Sequence, residues 1–288
     1  MLRLVFPKRQ SITYSRSILN LYDQALNTKE KDIMFDLSRS ESITPFSLLI
    51  HAALINKCLK GGKKGHYIKP EKRPLQRYLK VMGFNEFFWP SDNLEKFVPI
   101  SIDRVQLRRP SGIDYQLAEQ VITVFDKHLN LSKGVKESLN MSIRETMTNA
   151  VDHSGENEYY ICAQASSKRR QILLCILDLG KGILGALKPK YPYLNDDYEA
   201  IEEAIKEGIS SRDSRAGFGL NHIKRFIEVN RGKMWIISGH GKVMWNGAPM
   251  RSHRQSMIVP FSGTIVKLLI HIDRETFYLM SDEVEKLF

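Results

Sequence analysis

The stretch Leu139–Ser154, LNMSIRETMTNAVDHS, constrains the chain more than any other. Leu139, Ile143, Met147, Ala150 and Val151 recur at intervals of three or four, which on an α-helix makes one apolar stripe that must be buried. Glu145, Asn149 and Asp152 keep the same interval but project beside that stripe, so a carboxylate and an amide one turn apart would line one cleft. Such a pair suits a divalent cation and a water. Taken alone, the stretch also reads as an ordinary amphipathic helix whose polar side meets solvent.

The pattern around it predicts a mixed α/β chain. Asp32–Leu37 has strand length, and Pro45–Leu59 is a strongly apolar helix with proline at its start. Gly65–Ile68 reads as a short strand, and Arg73–Val81 as a helix stopped at Gly83, with Phe84, Phe87, Phe88 and Trp89 capping the core. Pro90, Pro99 and Pro110 in a polar, basic setting mark a linker up to Ser111. A helix follows to His128, with Leu117, Val121, Val124 and Phe125 on one side. Tyr159–Ala165 and Gln171–Asp178 read as strands joined by a turn at residues 166–170, the second apolar on both faces and therefore interior. From Leu184 to Ala216 the pattern is irregular, with one helix over Asp197–Glu207, and a segment of that length is usually functional. Gly219–Val229 reads as a helix, Lys233–Ile237 and Gly241–Trp245 as a hairpin about Ser238-Gly239-His240, and Gly263–Ile272 as the last sheet strand. Ala248–Phe261 has no clear period.

With 288 residues, 42% of them hydrophobic and 26% charged, the chain has the makings of an ordered globular protein, and two domains are expected. Cys58, Cys162 and Cys175 are odd in number and lack C-x-x-C spacing, so neither a disulfide framework nor a zinc site is predicted. No apolar run is long enough for a bilayer and the start MLRLVFPKRQ lacks a signal-peptide core, which predicts a cytoplasmic protein with no membrane partner. The excess charge is uneven: residues 1–98 carry 17 Lys and Arg against 9 Asp and Glu, net +8, and the rest 26 against 23, net +3. A basic first third admits an acidic protein partner or nucleic acid, although a solvated loop around Lys60, Lys63 and Lys64 accounts for it more simply.

Four segments in this order carry a resemblance: E-x-x-x-N-A-x-x-H from Glu145 to His153, Asp178-Leu179-Gly180-Lys181-Gly182-Ile183, Gly217-Phe218-Gly219-Leu220, and Gly263-Thr264. Together they resemble the ATP-binding domain of the GHKL superfamily (gyrase, a heat-shock chaperone, mismatch-repair ATPases, histidine kinases), and their spelling is most similar to the anti-sigma-factor serine kinases. The resemblance spans roughly residues 112 to 273. It implies a Bergerat-type α+β two-layer sandwich with a mixed sheet over residues 112–288, binding ATP and Mg²⁺. By that resemblance Asn149 is the metal ligand, with Asp152 and His153 as neighbours, and Glu145 is the general base that would take a proton from an attacking water. Asp178 would accept from the adenine amino group, and Thr264 would lie near adenine. Gly180 and Gly182 would leave room for the base, with Ile183 beside them. Gly217, Phe218, Gly219 and Leu220 would present the start of a helix to the phosphates, and Arg212 and Arg215 would close on them. Residues 1–98 look like the STAS-type α/β domains that partner anti-sigma kinases, through FDLSRSESITPFSLLIHAALI, with 99–111 as linker. Thr44, Pro45 and Phe46 stand where phosphorylated members carry a serine, so a docking domain without that phosphoswitch is the reading here.

Three functions follow from this set. One is a Mg-ATP-binding regulatory switch with slow ATP hydrolysis, in which residues 184–216 close as a lid and change how a regulatory protein partner docks. The second is a serine/threonine kinase of the anti-sigma type, and the third an adaptor that keeps nucleotide as a structural ligand. Glu145 fits the first two equally, and an oligomer is compatible with all three.

Overall fold

Short apolar runs alternating with amphipathic or wholly apolar segments build the first part of the chain. A computed structural model describes residues 1–87, 103–155, 157–210, 219–246, 251–272 and 277–278. The fold is mixed α/β, with helices and both parallel and antiparallel sheets. The chain divides into two compact units, Met1–Ile100 with Gln106–Arg108, and Ser101–Val105 with Arg109–Phe288.

The N-terminal unit runs β1 (Leu2–Val5), β2 (Arg9–Gln10), α1 (Ser15–Asn27), β3 (Asp32–Asp36), β4 (Ser42–Ile43), α2 (Pro45–Lys60), β5 (Lys64–Ile68) and α3 (Arg73–Val81). β1, β3 and β5 form a parallel sheet in that order, and β2 pairs in parallel with β4. Residues 45–55 of α2 are buried without interruption, as an all-round apolar helix must be. Phe6, Ile18, Tyr22, Ile33, Phe35 and Phe84 complete this core. Phe87 falls at the end of a 3-10 turn, while Phe88 and Trp89 lie outside the described residues.

One polar chain crosses this core. The Tyr22 hydroxyl bonds His51 Nδ1 at 2.7 Å, His51 Nε2 bonds Gln10 Oε1, and Gln10 Nε2 donates to Ser40 Oγ at 2.6 Å. All four residues are about 1% exposed, so each polar group depends on the next. Burial drives the His51 pKa down to about 3, which keeps the ring neutral.

The second unit takes Arg104 and Val105 from strand β6 (Arg104–Arg108) and goes on with α4 (Tyr115–His128), β7 (Asn130–Leu131), α5 (Lys133–Ser154), β8 (Tyr160–Ser166) and β9 (Gln171–Asp178). It continues with α6 (Gly182–Leu187), α7 (Asp197–Ala204), α8 (Gly219–Val229), β10 (Lys233–Asn246), β11 (Arg251–His271) and β12 (Phe277–Tyr278). A five-stranded sheet in the order β10-β11-β9-β8-β6 lies against the helices, and β12 pairs with β7. The core between them gathers Leu117, Val121 and Phe125 of α4, Ile143 and Met147 of α5, and the sheet residues facing them.

Four expectations need correcting. The predicted linker 99–111 contains β6, whose buried Val105 and Leu107 stand two apart between less buried neighbours, a strand alternation. The predicted hairpin about Ser238-Gly239-His240 is instead an irregularity inside one continuous strand, β10, where the register with β11 shifts on either side of Gly239. α7 fastens this kink, because Asp197 Oδ2 accepts from the His240 amide at 2.8 Å. Residues 251–261, which show no period, are the front half of β11, where 251–256 and Phe261 are in register with β10, while Thr264–His271 also pair with β9. The central helix starts six residues earlier than the apolar stripe, where Ser132 Oγ accepts from the Val135 amide at 3.1 Å. Among the described residues no helix is long and apolar enough to cross a membrane, and Cys58, Cys162 and Cys175 are buried and form no disulfide.

The neutral His51 sets a pH dependence. An unfolded histidine protonates near 6.5, whereas the folded one resists down to about 3, so this contribution is complete above pH 6.5 and is lost as pH falls. Urea unfolding of the wild type between pH 6.5 and 5 should show the N-terminal transition weakening by up to about 1.4 kcal/mol per pH unit. His51→Leu should flatten that slope and lower stability at pH 7 by about 2 kcal/mol, because the Tyr22 hydroxyl and Gln10 amide lose their partner.

Candidate functional site

The C-terminal end of β9 is where the second unit opens into a cavity. Asp178 closes the strand and is 4% exposed. Its Oδ1 accepts from the Gly180 amide at 2.8 Å, and Thr264, its register partner on β11, donates through both amide and hydroxyl. These donors favour the charged form, but burial outweighs them and pushes the carboxyl up to about 7. The residue is a strong acceptor poised near neutrality in an apolar wall.

The backbone at this point admits no side chain. A Cβ on Gly180 would stand 1.7 Å from the His153 carbonyl oxygen at the end of α5, and one on Gly263 would stand 2.0 Å from the Asp178 carbonyl oxygen. The loop after β9 is also tied to α5 by the Lys181 amide donating to that His153 oxygen at 3.2 Å. Gly182 opens α6, and the next amide, Ile183, donates at 2.8 Å to Ser238 Oγ, which donates in turn to the Gly263 carbonyl at 3.1 Å. Ser238 is fully buried and sits at the kink of β10, so one hydroxyl joins α6 to β11.

The cavity has an empty volume of about 700 Å³ including its open mouth. Its apolar walls are Ile176 and Val266 from the sheet, Ile183 and Leu187 from α6, and Ile209 and Leu220 on the remaining side. Polar groups are few: Thr146, Asn149 and His153 along α5, Asp178 and Thr264 at the strand ends, and Ser210. Thr146 lies one turn before Ala150 and its hydroxyl donates back to the Ser142 carbonyl at 2.8 Å.

Of the sequence-derived residues, Asn149, Asp178, Gly182, Ile183, Leu220 and Thr264 line this one cavity. Gly180 shapes the loop behind Asp178 without lining it. Glu145 is half-buried and lies outside the lining. Its side chain packs against the first residue of α8, so that a Cβ on Gly219 would meet Glu145 Oε2 at 3.0 Å. Asp152 is exposed and does not reach the cavity, because the helical interval turns it further round α5 than Asn149. Arg212, Arg215, Gly217 and Phe218 lie outside the described residues. Ser238, Thr146 and the apolar contribution of α6 were not legible as site residues. Ser238 reads as a turn residue, and Gly182 and Gly185 disguise α6 as loop.

Among the described residues no group of three or more His, Cys, Asp or Glu side chains could hold a metal by itself. Asn149 is the one side-chain amide in the cavity lining. Compared with known proteins, the chain matches no family model and no curated protein.

The raised carboxyl makes a measurable signature. An unfolded aspartate ionises near 3.9, so with a folded value of about 7 the Asp178 contribution to stability is complete below pH 3.9 and is lost as pH rises to 7. Asp178→Asn has no ionisation to lose. Between pH 5 and 7, denaturation of the ligand-free proteins should show the wild type losing about 1.4 kcal/mol per pH unit relative to the variant. A constant difference would mean that the carboxyl is ionised throughout.

Proposed function

We propose that the C-terminal unit is a GHKL-type domain that binds ATP with Mg²⁺ and acts as a regulatory switch with slow ATP hydrolysis. The observation that carries this reading is that Asn149 of α5 and Asp178 of β9, far apart in sequence, line one largely apolar cavity. An adenine would stack between apolar walls and offer its amino group to the buried Asp178 carboxyl. A guanine, with a carbonyl at that position, would leave the acceptor unpaired, which costs about 1–3 kcal/mol. Asn149 would lend its amide oxygen to the magnesium, which supplies positive charge to the phosphates. Glu145 packs against the first residue of α8, and in this reading the amides at that helix start would face the phosphates. There it would receive the proton of a water. The segment between α7 and α8 would cover the phosphates, and its closure would alter docking of a protein partner, with residues 1–98 as a STAS-like docking domain. A cytoplasmic location fits this role.

Asp178→Ala should weaken ATP binding at least ten-fold and erase the preference for ATP over GTP, read by calorimetry with Mg²⁺ present. Asn149→Ala should abolish the Mg²⁺-dependent part of binding, and tight Mg²⁺-dependent binding in that variant would remove the metal assignment. Glu145→Ala should keep ATP binding and lose phosphate release. Following a labelled γ-phosphate separates the alternatives: free phosphate marks an ATPase, labelled protein a kinase of the anti-sigma type, and neither a nucleotide-holding adaptor.

A further inference from the structure

The parallel sheet of the N-terminal unit sends β1, β3 and β5 in one direction, so the loops that follow them converge at one end. That is the end at which open parallel sheets hold ligands. A polar cavity of about 790 Å³, including its open mouth, lies there, and it is lined only by those three loops: Lys8 after β1, residues 38–41 after β3, and Glu71 and Lys72 after β5. The loops are bonded to one another. The Glu41 and Ser42 amides donate to the Lys8 carbonyl at 2.7 and 3.2 Å, and the Glu71 amide donates to the Ser38 carbonyl at 3.2 Å. Pairing of β2 with β4 holds the same two loops a residue further on.

The buried chain through His51 ends at this cavity. With the Gln10 amide set with Oε1 toward His51 and the ring neutral, Nε2–H donates to Gln10 Oε1, the Tyr22 O–H faces His51 Nδ1 and, at 3.5 Å, the His51 carbonyl, and the Gln10 amide donates to Ser40 Oγ. Each donor points one way, so the Ser40 oxygen is already used as an acceptor and its own proton has no acceptor among the described residues. Ser40 is 1% exposed, and a buried hydroxyl proton without a partner is costly. Two cations at the rim, Lys8 and Arg39, likewise have no ion pair among the described residues, whereas Lys72 is held by Glu41 at 3.4 Å. Two free cations and an aligned hydroxyl donor match a doubly charged oxyanion. Glu41 and Glu71 on the same rim repel a polyanion and can accept from hydroxyls.

We propose that the loops following β1, β3 and β5 bind the phosphate group of a small, hydroxyl-bearing phosphate monoester, gripped by Lys8, Arg39 and the Ser40 hydroxyl. This site is independent of the cavity at Asp178. Titration calorimetry on the full chain with ribose 5-phosphate, inorganic phosphate and ribose tests it. Saturable binding is expected for ribose 5-phosphate, weaker binding for inorganic phosphate and none for ribose. The surface variant Lys8→Gln/Arg39→Gln should weaken ribose 5-phosphate at least ten-fold with an unchanged circular dichroism spectrum, and Ser40→Ala should weaken it several-fold. Absence of saturable binding to the folded wild type overturns the proposal, and so does binding that the double variant leaves undiminished. Inorganic phosphate binding as tightly as the ester would overturn the role given to Glu41 and Glu71.

Discussion

The contact between the Asp178 loop, the end of α5 and Gly263 of β11 is what the second unit depends on. Three backbone segments from distant parts of the chain meet there at distances that leave no room for a Cβ on Gly180 or Gly263. Close approach brings the carboxyl of Asp178 under the amide and hydroxyl of Thr264 and buries it against apolar neighbours. The same approach draws α5 over the sheet, so that Asn149 reaches the cavity that Asp178 enters from below. Ser238 completes the joint by linking the α6 amide to the Gly263 carbonyl. Substituting either glycine would push apart the elements that define the hollow.

Much of this arrangement was legible because it is periodic. The stripe from Leu139 to Val151 is buried as its spacing requires, and Gln171–Asp178 is an interior strand because both its faces are apolar. Glycines after a strand and before a helix gave away Gly182 and Leu220 as cavity residues. What escaped had local chemistry pointing elsewhere. Ser238-Gly239-His240 has turn composition, yet antiparallel pairing with β11 resumes beyond it and makes it a kink in one long strand. Prolines and arginines masked β6, although Val105 and Leu107 already alternate. Asp152 shows the limit of spacing arguments, since an interval of three from Asn149 was enough to turn it out to solvent.

The two units solve the problem of buried polarity in different ways. In the second, the Asp178 carboxyl is kept in the core by three donors, with burial pushing its pKa up to about 7. In the first, three hydrogen bonds join Tyr22, His51, Gln10 and Ser40 in a row from the middle of the core to the loops at the sheet's end. This row spreads buried polarity over several residues and brings it to the loops that line the cavity.

The long strand β11 outruns its neighbour β9, which pairs with it only from Thr264 onward. Ahead of that point, among the described residues, one margin of the strand is not shared with any other. Such a margin is a template on which a second chain could stack. Here residues 251–256 are exposed and contribute two arginines and a histidine, and the exposed Pro260 has no amide hydrogen to offer. Arg254 is further pinned sideways by both oxygens of Glu202. The overhang therefore carries its own protection against fibril-like growth, and the protein can keep so extended a ribbon in solution.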